Sequence, residues 1–170
     1  MYYFAYGSNL HPHRLIERVP SARLLGTSCL KQFKLVFHKQ GIDGSSKCGL
    51  LATGNPDDTV HGAIYELEAE HKPALDRFES LHQGYTDKGI SLVYQEVEIR
   101  CFTYLAQKKY INDSLKPFHW YKNLVAIGAK YQNFPKQYVK MIESVESIND
   151  PDPQRRLKHD LLIGRMLEYC

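Results

Sequence analysis

An α+β fold is predicted by the order of the periodicities along this chain. Strand-like segments come first, helix-like segments fill about the last 55 residues, and only one helix is clearly placed between strands. Five or more short strands further predict a sheet that closes partly or completely into a barrel.

Residues 2–6 are aromatic and apolar and run into Gly7-Ser8-Asn9, which reads as a buried strand entering a tight turn. A short helix is predicted over 10–18, with Pro12 in its first turn and Leu15 and Val19 on one face. Residues 29–38 alternate as a strand, with Phe33, Leu35 and Phe37 on one side. The glycine- and serine-rich stretch 39–47 predicts a mobile loop, and strands follow at 48–53 and 60–67. A helix fits 69–81, broken by Gly84, and strands fit 90–98 and 99–106. Helices are predicted over 120–131, 135–145 and 154–167, with Asn149-Asp150-Pro151-Asp152-Pro153 interrupting before the last. No internal repeat or low-complexity stretch is visible.

Composition narrows the function classes. A chain of 170 residues is the size of one domain, and 43% hydrophobic with 24% charged residues is ordinary for a soluble globular protein. The net charge of +3 is too mild to require a nucleic-acid or membrane partner, and no segment approaches the ~20 apolar residues of a transmembrane helix. Met1-Tyr2-Tyr3-Phe4-Ala5-Tyr6 lacks the basic start of a secretory signal. Cys29, Cys48, Cys101 and Cys170 are widely spaced, with neither a zinc pattern nor a disulfide scaffold, so a cytoplasmic protein with structural thiols is expected. The 12 tyrosines suit a half-polar pocket wall, and equally a buried sheet with wet edges.

Two places could carry chemistry. Tyr6-Gly7-Ser8-Asn9 leaves a strand and opens a helix. Successive backbone N–H groups in such a turn form an anion-binding concavity, helped by the positive end of the helix. The competing reading is a plain turn with Ser8 or Asn9 as N-cap. Glu79, in Leu75-Asp76-Arg77-Phe78-Glu79, falls within the helical sector of Leu75, Phe78 and His82. A carboxylate on a packed face needs partners, and desolvation moves its proton affinity toward the range useful for proton transfer. The competing reading is a glutamate at the edge of the face, its head in water. His11 and His13 read as exposed helix-start residues without a third metal ligand. His38, His61 and His119 are scattered. No nucleophile elbow, P-loop or dinucleotide glycine pattern appears. The run Arg155-Arg156-Leu157-Lys158-His159 reads as a solvated helix face.

These residues together resemble the γ-glutamylcyclotransferase family, within the AIG2-like superfamily. Tyr3-Phe4-Ala5-Tyr6-Gly7-Ser8-Asn9-Leu10 is similar to the family's opening. Pro20-Ser21-Ala22, Phe33-Lys34-Leu35-Val36-Phe37 and Val60-His61-Gly62-Ala63-Ile64-Tyr65 follow in order. Leu75-Asp76-Arg77-Phe78-Glu79 matches the family's L-D-x-x-E. Gly84-Tyr85, Thr103-Tyr104-Leu105, Tyr121-Lys122, Gly128-Ala129-Lys130 and Phe134-Pro135-Lys136-Gln137-Tyr138 extend the match to about residue 138. Two departures stand out: Ser80 where the family often has glycine, and Phe134 for a usual leucine. The loop 39–47 and the segment 80–89 bear on which substrate fits.

The resemblance implies a small mixed β-barrel of five to seven strands flanked by helices. A family-like domain would span 1–146, with a helical extension at 147–170 packing on it. It also implies an enzyme that releases 5-oxoproline from γ-glutamyl amino acids or peptides by attack of the α-amine on the γ-carbonyl. Glu79 is then the general acid/base, and the loop Tyr6-Gly7-Ser8-Asn9 grips the γ-glutamyl head. Tyr3, Phe4 and Ala5, which lead into that loop, are implied as substrate-binding residues with it, and Tyr85, Tyr104 and Tyr121 complete the pocket wall. No metal or organic cofactor is implied, the partner is a small molecule, and a homodimer is possible. Two alternatives stay open: a cyclotransferase for γ-glutamyl amines or a γ-glutamylated biosynthetic intermediate, and a non-catalytic γ-glutamyl-binding module.

Overall fold

A computed structural model describes residues 1–169; Cys170, the fourth cysteine and the end of the expected extension, lies outside the described residues. At the centre is strand β1 (Tyr2–Ala5), in which Tyr3, Phe4 and Ala5 are all buried, as a strand covered on both faces requires. On one side β1 pairs antiparallel with β5 (Thr59–Glu66), and beyond it lies β2 (Arg23–Lys31). On the other side β1 runs parallel to β7 (Val97–Ala106), which pairs with β6 (Tyr85–Tyr94). The five-stranded order is therefore β2-β5-β1-β7-β6, and β3 (Phe33–Gln40) with β4 (Ser46–Ala52) forms a separate two-stranded sheet.

The α+β class is as predicted, but the sheet stays open. Its edge strands β2 and β6 are joined through side chains and not through a backbone ladder. Ser28 Oγ donates to the Val93 carbonyl at 2.8 Å and Tyr94 OH to the Leu25 carbonyl at 2.7 Å. The Tyr94 ring occupies the space over Gly26, where a Cβ would stand 2.8 Å from it. Side-chain rungs of this kind close the gap in shape while leaving the two edges unladdered.

Several boundaries differ from the periodicity, and left-handed residues account for most of them. Gln32 (φ +65°) separates β2 from β3 where one strand over 29–38 was expected. Gln95 and Glu96 (φ +49° and +66°) make a two-residue turn between β6 and β7, three residues earlier than the expected break. Such turns are favoured by Asn-Gly, and Gln-Glu carries no such signal. The loop expected over 39–47 is confined to 41–45, where Lys47 donates to Asp43 at 2.8 Å, and its flanks extend β3 and β4.

Five helices cover the sheets: α1 (Pro12–Arg18), α2 (Lys72–Phe78), α3 (His119–Tyr131), α4 (Lys136–Ser144) and α5 (Pro153–Glu168). The expected helix over 69–81 is shorter, a 3₁₀ turn at Ala69–His71 followed by α2. Its end is set by Glu79 at the C-cap and by Ser80 in the left-handed region, φ +52°.

Helix α5 packs on α3 and α1, burying Leu162 and Met166. The Asn149–Pro153 interruption is a built joint. Asp150 accepts from Trp120 Nε1 at 2.8 Å and from Arg155 at 2.7 and 2.6 Å, and Asp152 caps the helix through the N–H groups of Gln154 and Arg155. The Arg155 fork holds the Asp150 carboxyl well below the usual carboxylate range. The basic run is a solvated face over Arg156, Leu157 and Lys158, as expected, while its two ends are engaged: Arg155 is paired with Asp150, and His159 stacks on Trp120 with centroids 3.6 Å apart. No described helix is long and apolar enough to cross a membrane.

Candidate functional site

The loop after β1 decides the site. Its turn is closed by Leu10 N–H donating to the Gly7 carbonyl at 3.1 Å, and α1 begins only at Pro12. The N-cap is His11, whose Nδ1 accepts from the His13 backbone N–H, so neither Ser8 nor Asn9 caps the helix. His11 is not exposed: it is 1% accessible, set among the rings of Tyr131 and Tyr169, and burial lowers its pKa to about 4. With the cap supplied elsewhere, the Asn9 side chain is available for another task.

That task is to hold Glu79. Asn9 Nδ2 donates to Glu79 Oε1 at 2.8 Å and to Tyr3 OH at 3.3 Å, while Asn9 Oδ1 accepts from Arg18 Nη1 at 3.0 Å. Arg18 also lies 3.5 Å from Glu79 Oε1. The carboxylate is only 17% exposed, and no described residue hydrogen-bonds its second oxygen. The expected apolar sector around it is not formed as such. Leu75 is buried, but Phe78 is 55% exposed beneath the Arg18 guanidinium, and His82 lies beyond the helix at φ +66°. The Glu79 carboxylate is therefore held by partners from the loop after β1 and from α1, not by the apolar face of α2.

A pocket of about 280 Å³ opens beside Glu79, bordered by the loop residues Tyr6, Gly7, Ser8 and Asn9 and by Tyr3, Tyr85, Tyr104, Tyr121 and Cys48. Phe4 and Ala5 are fully buried in the core and do not line it. Phe4 packs on Gly62, where a Cβ would come within 2.3 Å of its ring, and so fixes β1 from behind. The backbone N–H groups of Gly7, Ser8 and Asn9 donate to no described residue, which leaves them available to a ligand.

The tyrosines divide by what their hydroxyls do. Tyr6 donates to the Tyr104 carbonyl (2.6 Å), Tyr85 to the Cys48 carbonyl (2.7 Å) and Tyr104 to Asp76 Oδ1 (2.6 Å). Tyr121 instead accepts from the Cys48 N–H at 3.1 Å and Tyr3 accepts from Asn9, so neither hydroxyl proton is given to a described oxygen or nitrogen. Burial raises the pKa of all five phenols, which keeps them neutral donors. Burial also pushes the Cys48 thiol up to about 12, which leaves it a packing residue.

Arg18 and Cys48 were not legible as site residues. Arg18 carried one faint signal: Arg14 and Arg18 stand four apart on α1, beside the buried Leu15. Among the described residues, one grouping has metal-ligand spacing, Glu68, Glu70 and His71 on the turn before α2, and it does not border the pocket.

Comparison with known proteins adds independent findings. The model of the family "Gamma-glutamyl cyclotransferase, AIG2-like" matches residues 3–122. A Bos taurus protein named gamma-glutamylcyclotransferase is 34% identical over 149 residues, covering 85% of this chain and 78% of that protein. The Homo sapiens protein of the same name is 33% identical with the same coverage. A solved structure titled "Gamma-glutamyl cyclotransferase" superimposes with a TM-score of 0.81 at 25% identity, over 96% of this chain and 98% of that one.

Proposed function

Because this chain belongs to the gamma-glutamyl cyclotransferase, AIG2-like family, we propose that it is a γ-glutamylcyclotransferase with Glu79 as its general acid/base. The substrate is a γ-glutamyl amino acid or peptide. Its α-amine nitrogen attacks the γ-carbonyl carbon, the new C–N bond closes the five-membered lactam of 5-oxoproline, and the amide bond to the attached amino acid breaks.

Two protons must travel for this to balance. The free α-amine is an ammonium in water, so a base has to take one proton before attack and a second from the attacking nitrogen once the new C–N bond has formed. The departing nitrogen receives one to leave as an amine and a second to become an ammonium. Glu79 relays them in turn on its unbonded oxygen from the attacking nitrogen to the departing one, so it ends as it began and no water or co-reactant enters. Asn9 and Arg18 hold the other carboxylate oxygen, which orients the group without occupying the oxygen that works.

Nucleophile and carbonyl are tethered in one molecule, so the site has mainly to fold the glutamyl chain and stabilise the oxyanion. The N–H groups of the Gly7-Ser8-Asn9 loop and the Tyr121 hydroxyl, whose proton is engaged only by the weakly accepting Cys48 sulfur, are the donors suited to the γ-carbonyl oxygen and the glutamyl carboxylate. The observation that carries this reading is the pairing of a partly enclosed, singly tethered carboxylate with an unsatisfied donor loop in one pocket. Release of 5-oxoproline from γ-glutamyl dipeptides tests it. Turnover by the wild type and none by Glu79→Gln is the expected result, and equal activity in the two sinks the assignment.

A further inference from the structure

Ser8, Glu79, Tyr85 and Tyr121 belong to two spaces at once. They border the pocket described above and a wider chamber of about 700 Å³ outside it. A scissile amide held beside Glu79 therefore projects its leaving side into that outer chamber, whose wall is strongly basic. Arg14, Arg18, Lys39 and Lys47 line it against one carboxylate, that of Glu79.

Two of these cations are already matched. Lys47 donates to Asp43 at 2.9 and 2.8 Å, and Arg18 is shared between Asn9 and Glu79. The other two are not. Arg14 is 5% exposed and makes no hydrogen bond or ion pair with a described residue, and its Nε is enclosed without an acceptor. Lys39 is 4% exposed, and its ammonium rests over the Tyr85 ring at 4.8 Å with no described acid in ion-pair range. Burial lowers the affinity of both for their protons, Arg14 to about 9. An enclosed cation without an anion costs stability, and that cost is recovered when a ligand supplies the anion.

We infer that the outer chamber reads the leaving amine by its carboxylates, and that the preferred substrates are γ-glutamyl conjugates of a dicarboxylic amino acid. Arg14 and Lys39 are the specificity-determining residues. This rests on the cyclotransferase reading, which places the leaving side in the chamber. Two unmatched cations fit two carboxylates, one carboxylate leaves one cation unmatched, and a simple γ-glutamyl amine leaves both.

The test is calorimetric titration of the Glu79→Gln protein, in which the ligand is not consumed, with γ-glutamyl-glutamate, γ-glutamyl-alanine and γ-glutamyl-ethylamide. Each carboxylate is expected to tighten binding about tenfold. Adding Lys39→Met or Arg14→Gln should bring the ratio between the first two ligands close to one. Should Arg14→Gln fail to fold, Lys39→Met, a nearly isosteric apolar replacement, decides. Equal affinity for the three ligands, no binding of γ-glutamyl-glutamate, or a ratio that survives the substitutions overturns the inference. Release of 5-oxoproline by the wild type, followed in parallel, separates the two claims. Turnover without charge preference removes only the chamber's role, whereas charge-graded binding without turnover supports the chamber and removes the reaction.

Discussion

Asn9 joins the loop after β1 to the end of α2: its side-chain amide donates to Glu79 Oε1 at 2.8 Å, and its carbonyl accepts from Arg18 at 3.0 Å. The Arg18 bond settles which way the amide points, because only the NH₂ end can then face the carboxylate. Asn9→Asp reverses this in one step by placing a second carboxylate against the first. The expected outcome is a fall in kcat of about 10²-fold with a smaller change in KM, since the proposed acid/base group is misplaced and not removed. Steady-state 5-oxoproline release measures it. A variant with wild-type kcat would show that Glu79 does not depend on Asn9.

Tyr85 and Tyr121 face the same pocket but do different work. Tyr85 spends its proton on the Cys48 carbonyl, whereas Tyr121 accepts from the Cys48 N–H and gives its own only to the weakly accepting Cys48 sulfur. Tyr121→Phe should therefore lower kcat/KM by roughly 10- to 100-fold if that proton meets the developing oxyanion. It should also cost stability by about 1 kcal/mol, because the Cys48 N–H loses its acceptor. Tyr85→Phe should act mainly on stability, by about 1–2 kcal/mol, through the carbonyl left unpaired. Kinetics and urea unfolding on both variants separate the two effects, and equal kinetic losses would contradict the division.

The site was legible in the chain where chemistry is local, and illegible where it is assembled from afar. Tyr6-Gly7-Ser8-Asn9 and Glu79 each announced themselves by residue type and placement, and the fold brings them within hydrogen-bond distance across 70 residues. Helical periodicity accounts for the enclosure of Glu79 only in part. The expected sector with Phe78 and His82 dissolves because Ser80 turns left-handed and ends the helix, and the enclosure comes from Asn9, Arg18 and Tyr3. His11 looked solvent-facing because a helix start usually is, yet α5 lies across α1 and Tyr169 and Tyr131 cover it. The strands followed the alternation only in part: residues 23–28 of β2 and 85–89 of β6 lie outside every expected strand, and at Gln32 and Gln95-Glu96 residues without turn chemistry adopt positive φ under tertiary control. The two unmatched cations were invisible for a similar reason, since α1 and β3 meet only in the folded molecule.

Ser80 marks one place where this chain bears strain. At φ +52° a serine side chain crowds its own backbone, and a glycine would not. Ser80→Gly is expected to raise stability by about 0.5–1 kcal/mol, the relief of left-handed strain exceeding the added freedom of the unfolded chain. A thermal melt would show this as a higher Tm, with no loss of 5-oxoproline release. A lower Tm would mean that the serine side chain contributes more than its backbone costs.

His159 and Trp120 supply a pH-dependent test of the joint between α3 and α5. Burial, reinforced by the charges of Arg14, Lys158, Arg18 and Lys47, lowers the His159 pKa from the usual 6.5 to about 4. His11 under the same helix is lowered likewise by burial and by His13. Both are neutral in the folded protein and charged in the unfolded chain between those values, so the unfolded state binds more protons there. Stability is then fully present above about pH 6.5 and falls as the pH drops toward 4. Each histidine should remove on the order of 1 kcal/mol per pH unit across that window, less where its ring keeps contact with water. A further decline follows at lower pH as the Arg155-held carboxylate of Asp150 becomes protonated. Trp120 is the chain's one tryptophan and stacks on His159, so its fluorescence reports unfolding at the joint. Urea midpoints should fall from pH 6.5 to 4.5 in the wild type and fall less in His159→Phe, which keeps a ring against Trp120 but cannot take up a proton. Midpoints that do not move with pH, or that move equally in the two proteins, would show that His159 is not the group being titrated.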